Sequence, residues 1–402
     1  MRVLISGASI AGPVTAYWLT RYGFDVTVVE RAPELRQTLG HAVDLFTPSY
    51  DITEKMGLRD AVEKLATGTD RVRFVRADRP KPIEIDMTKV YGALSDRHVE
   101  IMRNDLSRVY YEATLRDVEY RFADSITAIG EDGTVSFERA PDERFDLVIG
   151  ADGLHSNVRN LTFDKSQEHY LGACLAVFSV PKSLCENGVM DTHFDVGRLA
   201  GLYTAEPLDD GRAAFMWRTQ PQPDVHYRDT AAQRRLVIEA FRGMTPAVDS
   251  WLARFDENTP LYYDTITQLR LDTWSKGRVT LVGDAGFCPG PAVGGSTSLA
   301  VVGAYVLAGE LAKAKGDHAV AYPAYEAIML DHVRLSRQIA LNNGSSLVPR
   351  SKLALTVIPA LARTLSALPT GIGRTIARLT QGRLRKYDQL TYPDYADLLV
   401  RA

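Results

Sequence analysis

Arg2-Val3-Leu4-Ile5-Ser6-Gly7-Ala8-Ser9-Ile10-Ala11-Gly12 is the stretch on which the fold turns. Val3, Leu4 and Ile5 make a short apolar run closed by Gly7, and the spacing of Ala11, Val14, Ala16, Trp18 and Leu19 then predicts a helix ending near Gly23. Val26, Thr27, Val28 and Val29 follow as a β-branched run, so strand, helix and strand fit the βαβ unit of a parallel sheet. A glycine turn between strand and helix is the form of a dinucleotide site. Gly7 permits the tight turn, position 9 faces the pyrophosphate, and Gly12 lets helix and sheet pack closely. Ser9 replaces the usual middle glycine, and its small hydroxyl still admits a phosphate. That phosphate would rest at Ile10 and Ala11, on the helix N-terminus, where N–H groups and the dipole favour negative charge. Glu30, ending the second strand, is placed to accept from a ribose hydroxyl.

The remaining composition fits that reading. With 402 residues the chain exceeds the usual size of one hydrophobic core, so two packed domains are expected. Hydrophobic residues at 45% and charged residues at 24% describe a globular chain rather than a disordered one. A net charge of -3 argues against nucleic acid as a partner. Three cysteines without a Cys-x-x-Cys point to neither a disulfide framework nor a metal site, and a reducing cytoplasm suits them. No signal peptide is read at the N-terminus. The apolar stretch Leu353 to Leu368 is interrupted by Pro359 and Arg363, so no membrane span is expected. Oligomeric state is not legible.

Further strands are expected at Val72 to Val75, Val135 to Phe137, Leu147 to Ile149 and Val279 to Val282, with a helix at Asn104 to Leu115. Between about Tyr170 and Leu271 the pattern changes to longer, half-buried strands: Ala173 to Val180, His193 to Val196, Leu199 to Tyr203, Ala213 to Trp217 and Ile266 to Leu271. The expected architecture is α/β. A Rossmann-like dinucleotide-binding domain (1–169 and 272–345) carries an inserted, mainly antiparallel β-sheet domain (170–271), and a helical extension covers 346–402.

Two later segments repeat the theme of a strand emptying into glycine and aspartate: Leu147-Val148-Ile149-Gly150-Ala151-Asp152-Gly153, running on to Arg159, and Val279-Thr280-Leu281-Val282-Gly283-Asp284-Ala285. An aspartate there lies at the carboxyl edge of the sheet, where open α/β folds bind ligands. Taken in order, the three motifs resemble those of the single-component FAD-dependent aromatic hydroxylases, the group A flavoprotein monooxygenases of the para-hydroxybenzoate hydroxylase type, from Met1 to about Leu341. The resemblance implies that the first motif holds the ADP half of FAD, that Asp152 to Arg159 serves FAD and nicotinamide, and that Gly283 and Asp284 touch the ribityl and pyrophosphate region. It adds Arg103 and Arg31 as FAD contacts, the alternative for either being a surface ion pair. Where the family often has Pro-x-x-Gly-Gln-Gly-x-Asn, this chain has Pro291, Gly294, Gly295, Ser296, Thr297 and Ser298. Backbone N–H groups there can still face the flavin's pyrimidine edge.

The implied chemistry is reduction of FAD by NADPH or NADH, capture of oxygen as a flavin hydroperoxide, and hydroxylation of a bulky phenolic, polycyclic or drug-like aromatic substrate. Expected pocket walls are Tyr203, Met216, Trp217, Phe287 and Pro289, although each strand residue reads equally as sheet packing. His193 is a candidate acid or base, packing being the commoner role of a lone strand histidine. Cys288 reads as a buried filler. No side chain is singled out as a catalyst. A halogenase, a reductase or a non-turnover flavin or ligand binder are the alternatives. Against the first, the four tryptophans are isolated and form no Trp-x-Trp-x-Ile-Pro.

Overall fold

The computed structural model describes residues 1–35, 40–76, 79–88, 95, 97–163, 167–226, 228–290, 295–367 and 391–400. The opening βαβ unit forms as expected, with strand Arg2–Ser6, helix Ala11–Arg21 and strand Asp25–Glu30. The two strands pair in parallel, Ile5 opposite Val28. They belong to a six-stranded sheet in the order Ser275–Lys276, Val279–Leu281, Leu147–Gly150, Arg2–Ser6, Asp25–Glu30, Glu119–Phe122. Only the short edge strand Ser275–Lys276 runs antiparallel. Val3, Leu4, Ile5, Val28, Leu147, Val148 and Ile149 are all essentially buried because helices cover both faces. Each such side chain contributes about 1.5–3 kcal/mol relative to exposure.

Helix Ser296–Lys313 packs against Ala11–Arg21 and is buried at almost every turn from Ser298 to Leu311. A helix apolar all round has to lie inside the protein. The helix His318–Leu347 lies against it. Pro359 does not interrupt the helix Ala354–Ala367 that follows. Among the described residues, no helix is long and apolar enough to cross a membrane.

A seven-stranded, mainly antiparallel sheet forms the second layer: Leu261–Arg270, Gln167–Pro181, Asp210–Arg218, Arg198–Tyr203, Val189–Asp195, Arg71–Arg76, Arg79–Asp86. Two of its strands come from the N-terminal part of the chain. Val72 to Val75, read as belonging with the dinucleotide sheet, instead pairs in parallel with Val189–Asp195. Alternation sorts the strands' side chains between two faces. Ala176, Phe178, Phe215 and Trp217 pack on Val237, Phe241 and Trp251 of the helices Thr230–Phe241 and Pro246–Leu252. Leu175, Val177, Met216 and Ile266 pack on the other side with Val348 and Leu355. Between the two layers sits the hairpin of Ala42–Phe46 and His98–Met102.

Candidate active site

A cleft of about 330 Å³ opens at the carboxyl edge of the parallel sheet and gathers residues from most of the chain. Gly7, Ser9, Ile10, Ala11, Glu30, Arg31, Arg103, Asp152, Asp284, Gly295, Ser296 and Thr297, all singled out in the sequence, line it. Gly7 has φ +109°, and a Cβ on it would lie 2.6 Å from the Ala151 carbonyl oxygen. A Cβ on Gly12 would lie 1.9 Å from the Gly7 carbonyl oxygen, which no rotamer change relieves. Helix Ala11–Arg21 starts without a side-chain cap or an acidic residue in its first turn. Its N–H groups and dipole therefore face the cleft uncompensated. Glu30 does more than reach outward. Its carboxylate accepts the Ala8 amide at 3.0 Å and the Ala32 amide at 2.8 Å, bracing the turn from below. Ser107 on helix Arg103–Glu112 donates to the Ser9 carbonyl at 3.1 Å and fixes the turn from above.

Asp152 accepts from the Ser156 hydroxyl and from the backbone amides of Asn157, at 2.8 Å, and Val158, at 3.1 Å. It thus holds the N-terminus of helix Asn157–Thr162. Burial pushes its carboxyl up against these hydrogen bonds. Arg159 is not brought to the cleft. Only 2% exposed, it donates to the carbonyls of Ala285, at 3.0 Å, and Leu154, at 2.6 Å, and pairs with Glu168. It ties the second motif to the third. Gly283 likewise stands behind the wall, its φ of +67° turning the chain where a Cβ would meet Ala11 and Ala300. Pro291 and Gly294 lie outside the described residues.

At the opposite wall, Gly295 takes a left-handed conformation and opens helix Ser296–Lys313, again without a side-chain cap. The Ser296 hydroxyl donates to Asp284 at 2.6 Å. Ser298, standing where the family often has asparagine, accepts the Phe46 amide at 3.2 Å and exchanges a hydrogen bond with Ser49 at 2.8 Å. It bolts the hairpin to this helix.

The expected substrate walls fare differently. None of Tyr203, Met216, Trp217, Phe287 and Pro289 lines the cleft. Trp217 faces away, edge-on to Phe241, because it is one residue out of phase with Met216. Met216 is on the face turned toward Val348 and Leu355. Phe287 is fully buried beside Trp274, and Pro289 is buried too. The Tyr203 hydroxyl accepts the Ala42 amide at 3.1 Å, joining sheet to hairpin. His193 shares a hydrogen bond with Thr245 at 3.0 Å and packs edge-on to Trp251, on the helix-covered face. Burial lowers its pKa, and its position on that face keeps it out of the cleft, so the acid or base role has no place there. Cys288 is buried against Leu154 and Leu269, its thiol pushed well up by desolvation.

Several cleft residues carried no local signal. His41 packs its ring 5.3 Å from that of Tyr262 and accepts the Arg103 amide on its carbonyl. Its pKa falls to about 3, through burial and then the Arg103 charge, which keeps it neutral. His155, by contrast, belongs to the expected segment Asp152 to Arg159 and does line the cleft, where the Asp264 carboxylate, 3.7 Å away, raises it. Asp124 is held below the usual range by the Ser125, Arg139 and Ala140 amides, which outweigh the cost of burial.

The sequence model of the FAD binding domain matches residues 1–323. A flavin-dependent monooxygenase of Legionella longbeachae is 32% identical over 94% of this chain and 97% of its own length. The chain belongs to this FAD-binding family. It is an FAD-dependent monooxygenase. The uncharacterized protein Rv1260 of Mycobacterium tuberculosis strain H37Rv is 39% identical, covering 87% of this chain and 96% of that protein. The crystal structure of the tetracycline destructase Tet(51) superposes with a TM-score of 0.83 at 30% identity, covering 98% of this chain and 99% of that one. The cofactor of such a monooxygenase suits the residues present. Two uncapped helix N-termini meet one cleft, and any Cβ at Gly7 or Gly12 would collide with the turn that forms its floor.

Proposed function

We propose that the cleft holds FAD with its pyrophosphate on the Gly7–Gly12 turn, its adenosine toward Glu30 and Arg31, and its flavin toward Asp284 and Gly295–Thr297. Arg103 and Asp152 complete the wall. In this reading the enzyme hydroxylates a bulky phenolic or polycyclic aromatic compound at the expense of NADH or NADPH and oxygen. The cofactor, when bound, supplies the transfer of electrons from nicotinamide to oxygen. The chain supplies position and dryness. Helix Ala11–Arg21 offers its positive end to phosphate, and helix Ser296–Lys313 offers its own to an aromatic edge that gains negative charge on reduction. His41, kept neutral, and Tyr262 make a close-packed wall that excludes water from the reacting atoms.

The observation that carries this reading is the pair of uncapped helix N-termini at one cleft. A bulky polycyclic substrate is further supported by the likeness to the tetracycline destructase. The test is a screen of phenols, naphthols, anthraquinones and tetracyclines for compounds that accelerate bleaching of the bound flavin by NADPH or NADH. At least one class should do so. Bleaching at one rate regardless of every compound contradicts the reading.

A further inference from the structure

The hairpin between the two layers carries titratable groups that the reading above leaves without a task. Strand pairing sets Asp44 directly opposite Glu100, and Nε2 of His98 lies 2.7 Å from Oδ1 of Asp44. Asp44 lines the cleft. His98, its side chain 12% exposed, lines a second cavity of about 290 Å³ with Tyr50, Arg59, Glu63 and Arg97. Arg59 and Glu63 are 49% and 43% exposed, so this second cavity lies at the surface. The Asp44–His98 contact therefore joins the cleft to a solvent-facing cavity through two side chains.

We propose that Asp44 and His98 form a relay carrying one proton per turnover from the surface cavity into the cleft. The proposal rests on the reading that nicotinamide and oxygen are consumed there. Hydroxylation turns substrate, oxygen, NADPH and one proton into hydroxylated substrate, water and NADP. Unproductive turnover turns oxygen, NADPH and one proton into hydrogen peroxide and NADP. Either way two electrons come from the nicotinamide and one proton must come from solvent, although a hydroxylating cleft has to stay dry. In the relay, a doubly protonated His98 passes its Nε2 proton to the Asp44 carboxylate, leaving a neutral ring. Asp44 releases that proton into the cleft and is a carboxylate again, and the ring regains a proton from hydronium or a buffer acid in the surface cavity. Histidine is the side chain that gives and takes a proton near neutral pH.

Other groups around the pair set its charge. Glu100, whose Oε1 accepts from Thr67 at 3.0 Å, is pushed up to about 8 by burial and by Asp44. It keeps its proton through neutral pH, and Asp44 faces a neutral neighbour. From the second sheet come Tyr203 and, behind it, Arg212 paired with Asp210. On the surface side Arg97 is held by Asp51 and Glu54.

The test uses the FAD-loaded full chain and follows NADPH and NADH oxidation at alkaline pH. His98→Ala should lower kcat by about a hundredfold, the modest end for a positioned proton-transfer group, with KM for the nicotinamide unchanged. Excess imidazole, which diffuses into the vacated space, should restore it, and sodium chloride at equal ionic strength should not. Asp44→Asn should lower kcat similarly without imidazole rescue. Flavin absorbance per chain reports folding. If His98→Ala loses flavin, His98→Gln keeps the ring's volume, and its kcat should fall more steeply with rising pH than that of the wild type. Wild-type turnover in His98→Ala, a loss that imidazole leaves in place, or a His98→Gln profile parallel to the wild type overturns the relay. A wild-type chain that oxidises neither nicotinamide removes the underlying reading and the relay with it.

Discussion

Glu100→Gln should make the protein more resistant to alkaline pH. In the folded chain the Glu100 carboxyl is raised from its ordinary value of 4.5 to about 8, first by burial and then by Asp44. Between those two values the folded state holds a proton that the unfolded chain has released, so stability falls as pH rises through the window. It is fully present below the lower value. At about 1.4 kcal/mol per unit the ceiling is about 5 kcal/mol. Glu100 retains partial solvent contact, which screens the effect, and we work with about 2 kcal/mol. Glutamine keeps the acceptor for Thr67 and cannot ionise. Urea unfolding of the FAD-loaded chain at about pH 5 and about pH 9 should therefore show the variant close to wild type in acid and about 2 kcal/mol more stable than wild type in alkali. A difference that does not change between the two conditions would refute the burial argument, and with it the neutral Glu100 invoked beside Asp44.

Gly12→Ala should be purified without flavin, or not fold, because the new Cβ would stand 1.9 Å from a backbone oxygen; the ratio of flavin to protein absorbance reads this. Ser296→Ala removes the hydrogen bond to Asp284 and should weaken flavin retention by about 1 kcal/mol, measured by fluorescence titration of the flavin-free chain. Trp217→Ala should cost about 3–5 kcal/mol of stability while leaving the preference among stimulating compounds unchanged. Met216→Ala, on the other face beneath Val348 and Leu355, should cost about 2–5 kcal/mol and likewise leave that preference unchanged. Urea unfolding reads the cost, and a screen repeated on both variants reads the preference.

What was legible in the sequence was what a single short segment must encode for itself. Gly7 and Gly12 are written into the chain because the backbone passes too close for any other residue, and Asp284 follows a buried strand into the cleft. What was not legible depends on partners distant in sequence. A strand such as Val72 to Val75 carries no mark of which sheet it joins, and it joined the second. Alternation along Asp210–Arg218 shows that two faces exist without showing which one fronts a helix, so Met216 and Trp217 could not be told apart. Arg159 has the charge expected of a cofactor contact but spends it on two carbonyls and Glu168. His41, Asp124 and Tyr262 enter the cleft from separate elements with no shared motif. Their convergence is a property of packing alone.

The central claim, that the cleft supports oxygenation of an aromatic compound by FAD, is tested most directly with heavy-isotope oxygen gas. The FAD-loaded chain is supplied with nicotinamide and the compound that best accelerates flavin bleaching, and the product is weighed by mass spectrometry. The account predicts a product carrying one heavy oxygen atom drawn from the gas and none from water. Product without that atom, or label arriving only from heavy water, would contradict it.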